Sequence, residues 1–314
     1  MKIRQSLVGV GLGIAALLLT ACGGNSNPLG EATSTQPSQS GSGSASGGAP
    51  VVVGSADFTE SKILAEIYSQ AMKAKGVDSS TKLGIGSREI YIKALQDGSI
   101  SAVPEYTGNL LLNFDANATA TTAEEVEKAL PAVLPPGLKL LKSSAAVDQD
   151  VYVVTKEYSA QNGINSLEDL KKIASTSIVG GPPELEKRAY GPPGLEKIYG
   201  AKFKEFRPYA KYPPKISDLD ANKIQVATFF TTDAVISEKG YVELKDPQSM
   251  ILPQNVIPLV RSDVADNANA VAALDAVQAA LTTDDLVQLD KKVDSEHQDP
   301  AQVAAEWLKS KGLA

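Results

Sequence analysis

Residues 51–76 read Val51-Val52-Val53-Gly54-Ser55-Ala56-Asp57-Phe58-Thr59-Glu60-Ser61-Lys62-Ile63-Leu64-Ala65-Glu66-Ile67-Tyr68-Ser69-Gln70-Ala71-Met72-Lys73-Ala74-Lys75-Gly76. A short β-branched run gives way to a segment in which Ile63, Leu64, Ile67 and Ala71 recur at helical spacing. Thr59 or Asp57 is placed to cap that helix and Gly76 to end it. Strand, polar turn and amphipathic helix in one stretch form the unit from which α/β folds are built.

The pattern repeats outward. Lys82 to Ile85 reads as a strand, Ser87 as the cap of a second helix that Gly98 stops, and Ser101 to Glu105 as the next strand. Further strands are expected over 138–142, 150–155, 176–179, 225–229, 241–244 and 256–260, with helices between most of them. The last part of the chain shows no strand pattern. One helix should open near Thr282 or Thr283 with Asp284 and Asp285 in its first turn, and the last should run from Asp299-Pro300 to Gly312. Trp307 and the single histidine, His297, read there as packing or surface residues, since one histidine without companions builds no metal site. Gly181-Pro182-Pro183-Glu184-Leu185-Glu186-Lys187 recurs as Gly191-Pro192-Pro193-Gly194-Leu195-Glu196-Lys197. That echo is too short for an architectural repeat and reads as two helical turns, each opened by proline and closed by Tyr-Gly.

Residues 1–21 carry Lys2 and Arg4, an apolar run from Leu7 to Leu19, and small residues before Cys22, the chain's only cysteine. This is a secretory signal, shorter in its apolar core than the ~20 residues a membrane span needs. The ending Leu19-Thr20-Ala21-Cys22 resembles the lipobox of bacterial lipoproteins, which implies cleavage before Cys22 and lipidation of its sulfur. Residues 22–50 are then a Gly/Ser-rich tether that buries no core and reaches about 30 Å. The formal charge of −7 becomes more negative once Lys2 and Arg4 are removed, and no basic run offsets it. Nucleic acid is excluded as a partner on that ground.

Nucleophile elbows, phosphate loops, His-Glu-x-x-His and Cys-x-x-Cys are all missing from the sequence, so no enzyme chemistry and no cofactor is expected. Gly84-Ile85-Gly86 precedes a helix as a dinucleotide loop would, but Glu89 stands where the third glycine belongs and would repel a pyrophosphate. Aromatic and polar residues instead gather after strands: Asp57-Phe58-Thr59-Glu60, Glu105-Tyr106-Thr107-Gly108 and Phe230-Thr231-Thr232-Asp233. In open α/β sheets ligands sit outside the carboxyl ends of the strands, so these segments are expected to converge.

Gly54-Ser55-Ala56-Asp57-Phe58-Thr59-Glu60, Pro104-Glu105-Tyr106-Thr107-Gly108, Pro192-Pro193-Gly194-Leu195, Phe230-Thr231-Thr232-Asp233 and Gln254-Asn255-Val256-Ile257-Pro258-Leu259-Val260 together carry a resemblance. The chain, from about Val51 to Leu308, resembles the osmoprotectant-binding receptors (glycine betaine, carnitine, choline) of ATP-driven importers. The resemblance implies a two-lobed α/β periplasmic-binding fold of type II, crossed twice by the chain, with lobe one over 51–149 plus 255–314 and lobe two over 150–254. It also implies hinge closure on the ligand, partner permease and ATPase subunits on separate chains, and a monomeric receptor. In such receptors a box of aromatic rings holds a quaternary ammonium, which has no N–H to donate, by cation–π attraction.

Carried onto this sequence, the box falls on Tyr106, Tyr190 and Phe230, the last standing where relatives often have tyrosine. Asp57, Phe58, Ser87, Arg88, Thr107, Thr231 and Thr232 complete the expected ligand site, while Tyr91 is set aside because it lies within an amphipathic helix. Ala56 stands where many relatives place a lysine for the ligand carboxylate. Either Arg88 restores that charge or the ligand carries a hydroxyl instead, as choline does. Two other readings stay open: the same receptor class binding a neutral or aromatic small molecule, and a lipid-anchored surface interaction protein.

Overall fold

The computed structural model describes residues 50–314; the signal segment 1–21, Cys22 and all but the end of the tether lie outside the described residues. Two five-stranded sheets organise the chain. The first is built from β1 (Val51–Gly54), β2 (Ser79–Lys82), β3 (Ala102–Tyr106), β4 (Leu138–Leu140) and β10 (Val256–Arg261) in the order β2-β1-β3-β10-β4. The second is built from β5 (Asp150–Val154), β6 (Ile178–Gly181), β7 (Glu205–Pro208), β8 (Val226–Phe230) and β9 (Val242–Glu243) in the order β7-β6-β8-β5-β9. The chain leaves the first sheet after β4, builds the whole of the second, and returns as β10. That strand enters antiparallel between β3 and β4. Each sheet with its helices is one lobe.

Helices cover both faces of each sheet. In the first lobe α1 (Thr59–Ala74) buries Ile63, Leu64, Ile67 and Tyr68 against helices from the far end of the sequence. The elements that follow are α2 (Arg88–Gln96), α3 (Thr107–Phe114), α4 (Ala123–Val133), α5 (Lys156–Asn162), α6 (Pro192–Tyr199), α7 (Tyr212–Asp220), α8 (Ala234–Lys239), α9 (Ser262–Ala265), α10 (Ala268–Ala280), α11 (Thr283–Asp294) and α12 (Pro300–Ser310). Trp307 of α12 lies in the same core as α1, and His297 is exposed. A capping box at Thr282 and the Asp299 side chain open α11 and α12 where the sequence placed them.

Several elements differ from expectation. The second strand lies at Ser79–Lys82 rather than 82–85; it is a polar edge strand paired only to β1, and the apolar Leu83 just past it is exposed. The edge strand β7, polar and ending in proline, was not anticipated. Neither Thr59 nor Asp57 caps α1: Thr59 donates to Asp294 at 2.6 Å and Asp57 accepts from Lys62 at 2.8 Å. Ser87 holds the N-cap position of α2 without a side-chain capping bond.

The proline echo forms a single 3₁₀ turn over Pro183–Lys187 and then the longer helix α6. Gly191 starts that helix instead of closing the turn before it. A Cβ at Gly191 would fall 1.9 Å from the Leu185 carbonyl and one at Gly194 would fall 2.0 Å from that of Ala189, so only glycine lets the turn fold back so tightly.

Candidate functional site

The carboxyl ends of β1 and β3 in one lobe face those of β6 and β8 in the other, and a cavity of about 290 Å³ lies between them. Lobe one contributes Ala56, Phe58, Ser87, Arg88, Tyr91, Tyr106 and Asn109; lobe two contributes Asp150, Tyr190, Tyr209, Tyr212, Lys215, Thr228, Phe229 and Phe230. Phe58 joins the two sides. Its ring centroid is 6.0 Å from that of Tyr106 in its own lobe and 5.0 Å from that of Phe230 in the other, with tilts of 36° and 34°. The three rings form a continuous aromatic contact across the cleft. Tyr190 is held in place because Tyr152 donates to its carbonyl at 2.8 Å and Arg188 donates to its hydroxyl at 2.6 Å.

Arg88 does not offer a free charge. Its Nε and Nη2 donate to both oxygens of Glu105 at 2.8 and 2.9 Å, inside the lobe. Glu105 also accepts from the Tyr91 hydroxyl at 2.7 Å and the Tyr106 backbone N–H at 3.0 Å. Buried carboxylate and guanidinium thus cancel, and together they position the two tyrosines. Asp57 borders the cavity but is largely exposed and ion-paired to Lys62.

Thr107, Thr231 and Thr232 are not part of the cavity wall. Thr107 Oγ1 donates to the Pro253 carbonyl and accepts from Asn255 N–H, tying α3 to β10. Thr231 Oγ1 accepts from Gln149 N–H beside the crossover. Past the end of β8 the chain turns, so residues adjacent in sequence to Phe230 face the hinge. Tyr91, Asn109, Asp150, Tyr209, Tyr212, Lys215 and Phe229 line the cavity without having been assigned to it. Tyr212-Pro213-Pro214, which opens a helix, is a local signal that could have pointed to one of them.

At one end of the cavity Asn109 Nδ2 and Gln254 Nε2 both donate to Asp150 Oδ2, at 2.6 and 3.1 Å. Asn109 Oδ1 and Thr228 Oγ1 are buried there without a partner. Lys215 Nζ donates to the Thr228 carbonyl at 2.6 Å and lies 4.1 and 4.0 Å from the Tyr212 and Phe229 ring centroids. Burial lowers its pKa to about 8, against the pull of Asp233 and Asp150.

Behind Tyr106 the lobes meet over carboxyl groups. The Tyr106 hydroxyl donates to Glu60 Oε1 at 2.5 Å, and Thr232 Oγ1 lies 3.1 Å from Glu60 Oε2 and 2.9 Å from Asp148 Oδ1. One hydroxyl carries one proton, so satisfying both contacts requires a proton on a carboxyl group. Burial raises Glu60 to about 7, and Asp148 and Asp290 rise well above the usual carboxylate range for the same reason. No cluster of metal-ligand geometry occurs among the described residues. Burial favours the protonated forms of these acids.

Two α/β lobes joined by paired crossovers around an aromatic cleft are the architecture of a solute-binding receptor. The chain belongs to the family described as the substrate binding domain of ABC-type glycine betaine transport systems, whose profile matches residues 49–310. It is therefore the extracytoplasmic, ligand-capturing component of an importer whose permease and ATPase bind it in turn. It is 27% identical to the glycine betaine-binding protein YehZ of Escherichia coli over 277 residues, 84% of this chain and 91% of that one. It is 26% identical to the glycine-betaine-binding protein of Pseudomonas aeruginosa, covering 83% and 88% of the two chains. Among solved structures, that of a glycine betaine/carnitine/choline ABC transporter matches with a TM-score of 0.66 at 20% identity, covering 84% of this chain and 99% of the other. That last likeness speaks to the fold.

Proposed function

We propose that the cleft captures a quaternary ammonium osmoprotectant and that the protein is held at the membrane by a lipid on Cys22. Phe58 carries the reading of the site. It stands between Tyr106 of its own lobe and Phe230 of the other, so the aromatic surface is complete only when the lobes are together. A quaternary ammonium has no hydrogen-bond donor and spreads its charge over methyl groups; desolvated rings attract it by roughly 0.5–2 kcal/mol each. Ligand contact with both lobes then favours the closed form over the open one.

The relatives named for glycine betaine support the ligand class. The signal-like segment ending at Cys22 supports the anchor.

Charge is the discriminating test. Calorimetric titration with choline and with its neutral analogue, in which a quaternary carbon replaces the nitrogen, should show tight binding of the cation and loss of most of that affinity for the analogue. Equal binding would favour an apolar pocket for neutral ligands and reject the cage.

A further inference from the structure

We propose that a second cavity between the lobes binds an aliphatic amine carrying N–H groups, a primary amine or diamine, against carboxyl groups that do not line the cleft. This cavity has a volume of about 500 Å³. Phe58 and Phe230, with ring centroids 5.0 Å apart, line both spaces, so the pair forms a wall common to the two. Lobe one lines the second cavity with Glu60 at the start of α1 and with Asp290 and Asp294 on α11. Lobe two lines it with Asp233 just before α8 and Glu238 within it. Its two lysines do not balance these acids: Lys62 is paired to Asp57 at 2.8 Å, and Lys211 is exposed.

Asp290 distinguishes this cavity from a solvated acidic face. It is 4% exposed, its Oδ1 has no hydrogen-bond partner, and the charges that face it, Glu60, Asp148, Asp233 and Asp294, are all acids. Carboxyl groups gathered in this way need a proton or a cation among them. Burial raises Glu60, Asp233, Asp290 and Asp294 alike, so a cation seated against this wall would take the place of protons. Lys215 opposes the rise at Asp233, but it lines the cleft and not this cavity. The neighbouring acids are held in position: Asp233 accepts from the Tyr212 hydroxyl and the Phe230 N–H, both at 2.8 Å, and Asp294 accepts from Thr59 at 2.6 Å. No described acids stand in metal-ligand geometry. An ammonium group is less exacting, because its three N–H donors turn about a flexible stem. Phe58, Ile216, Phe230 and Val235 offer apolar contact to its carbon chain. A quaternary amine has no N–H to donate, so cavity and cleft select opposite kinds of cation.

The inference stands apart from the quaternary-amine reading, and the test keeps them apart. The full chain in detergent is titrated calorimetrically near neutral pH with putrescine, alone and with saturating choline. Putrescine should bind in both cases and release protons, seen as a heat that varies with the ionisation enthalpy of the buffer. Its fully N-methylated dication, which keeps the charge and loses the donors, should bind about tenfold or more weakly. Asp290→Asn should weaken putrescine by about tenfold, and Asp294→Asn gives the same readout should Asp290→Asn fail to fold. Absence of binding, one-for-one competition with choline, equal affinity for the methylated dication, a heat independent of buffer, or unchanged affinity in both variants would each overturn the proposal. Should wild type fail to bind choline, the quaternary-amine reading falls; the putrescine titrations still decide this proposal, because Asp290 does not line the cleft.

Discussion

Ligand affinity should depend on pH through Glu60. This carboxyl sits in the first turn of α1, fully buried, reached by the Tyr106 hydroxyl at the end of β3 and by the Thr232 hydroxyl from the opposite lobe. Facing it are Asp148 at the crossover, Asp290 on α11 and Asp233 beyond β8. All three are raised by burial, and Lys215 opposes the rise at Asp233. Burial lifts Glu60 itself from 4.5 to about 7. Parting the lobes withdraws Thr232 and admits water, which returns Glu60 toward its ordinary value. A group whose pKa rises on closure favours closing in its protonated form. Closure is therefore unhindered below about 4.5, grows harder as pH climbs, and carries its full penalty above about 7. The shift is worth at most about 3 kcal/mol, on the order of a hundredfold in affinity. Choline suits the assay because its charge is fixed. Calorimetry between about pH 5 and 7.5, in buffers of differing ionisation heat, should show affinity falling with pH and about one proton taken up per ligand bound. Glu60→Gln needs no proton and keeps an acceptor for Tyr106, so it should bind more tightly than wild type at the alkaline end and lose most of the slope. A flat wild-type profile, or an unaltered slope in Glu60→Gln, would refute the reasoning.

Removing the guanidinium in Arg88→Met leaves Glu105 buried beside two tyrosines without a countercharge, at a cost of about 3–5 kcal/mol in unfolding free energy; a loss below about 1 kcal/mol in denaturant titrations would show that Glu105 finds other relief. Tyr106→Ala should cost on the order of 2 kcal/mol of ligand affinity, or ~30-fold, and Tyr106→Phe much less, because the ring face remains. Tyr106→Phe also takes from Glu60 the hydrogen bond that lowers its pKa, so its affinity should decline with pH to a more alkaline limit than in wild type. Cys22→Ala should move the protein out of the membrane fraction or leave the signal uncut while ligand binding persists; an unmodified thiol at the wild-type N-terminus, seen by mass spectrometry, would remove the anchor.

The first strand and helix were legible because burial imposes a period: α1 packs one face on the sheet and its neighbours, and that face is written as Ile63, Leu64, Ile67 and Ala71. Edge strands carry no such constraint. Ser79 to Lys82 and Glu205 to Pro208 are strands because a neighbour offers free backbone groups, and their side chains barely register it. The same limit governs the cleft. Tyr106 and Phe230 could be found because each stands at the end of a strand, where open sheets place their ligands. Tyr212 and Lys215 reach the cavity from a helix of the second lobe, and only the packing of α7 on β8 brings them there. Tyr91 was set aside as core, and its ring is buried. Its hydroxyl on Glu105 nevertheless fixes the guanidinium that borders the site, a role that helical periodicity cannot express.

The arrangement of acids explains how such a cleft would select a quaternary ammonium over the metal cations that outnumber it. An exposed carboxylate at the cage would attract any cation, and small ions most strongly, since hard cations seek oxygen ligands. Here two acids near the cage are withheld, and Asp150 in the cavity wall is engaged by Asn109 and Gln254. Glu105 is spent on Arg88, and Glu60 lies behind the Tyr106 hydroxyl with burial favouring its protonated form. An arriving cation therefore meets rings. A small, strongly hydrated ion loses far more on leaving water than rings return. A quaternary ammonium gives up little, because its methyl groups bury apolar surface while its diffuse charge faces the π-clouds. Restoring an ionised carboxylate to the cage should on this reasoning relax selectivity even where it raises affinity, so protonation of Glu60 and neutralisation of Glu105 would serve recognition as well as closure.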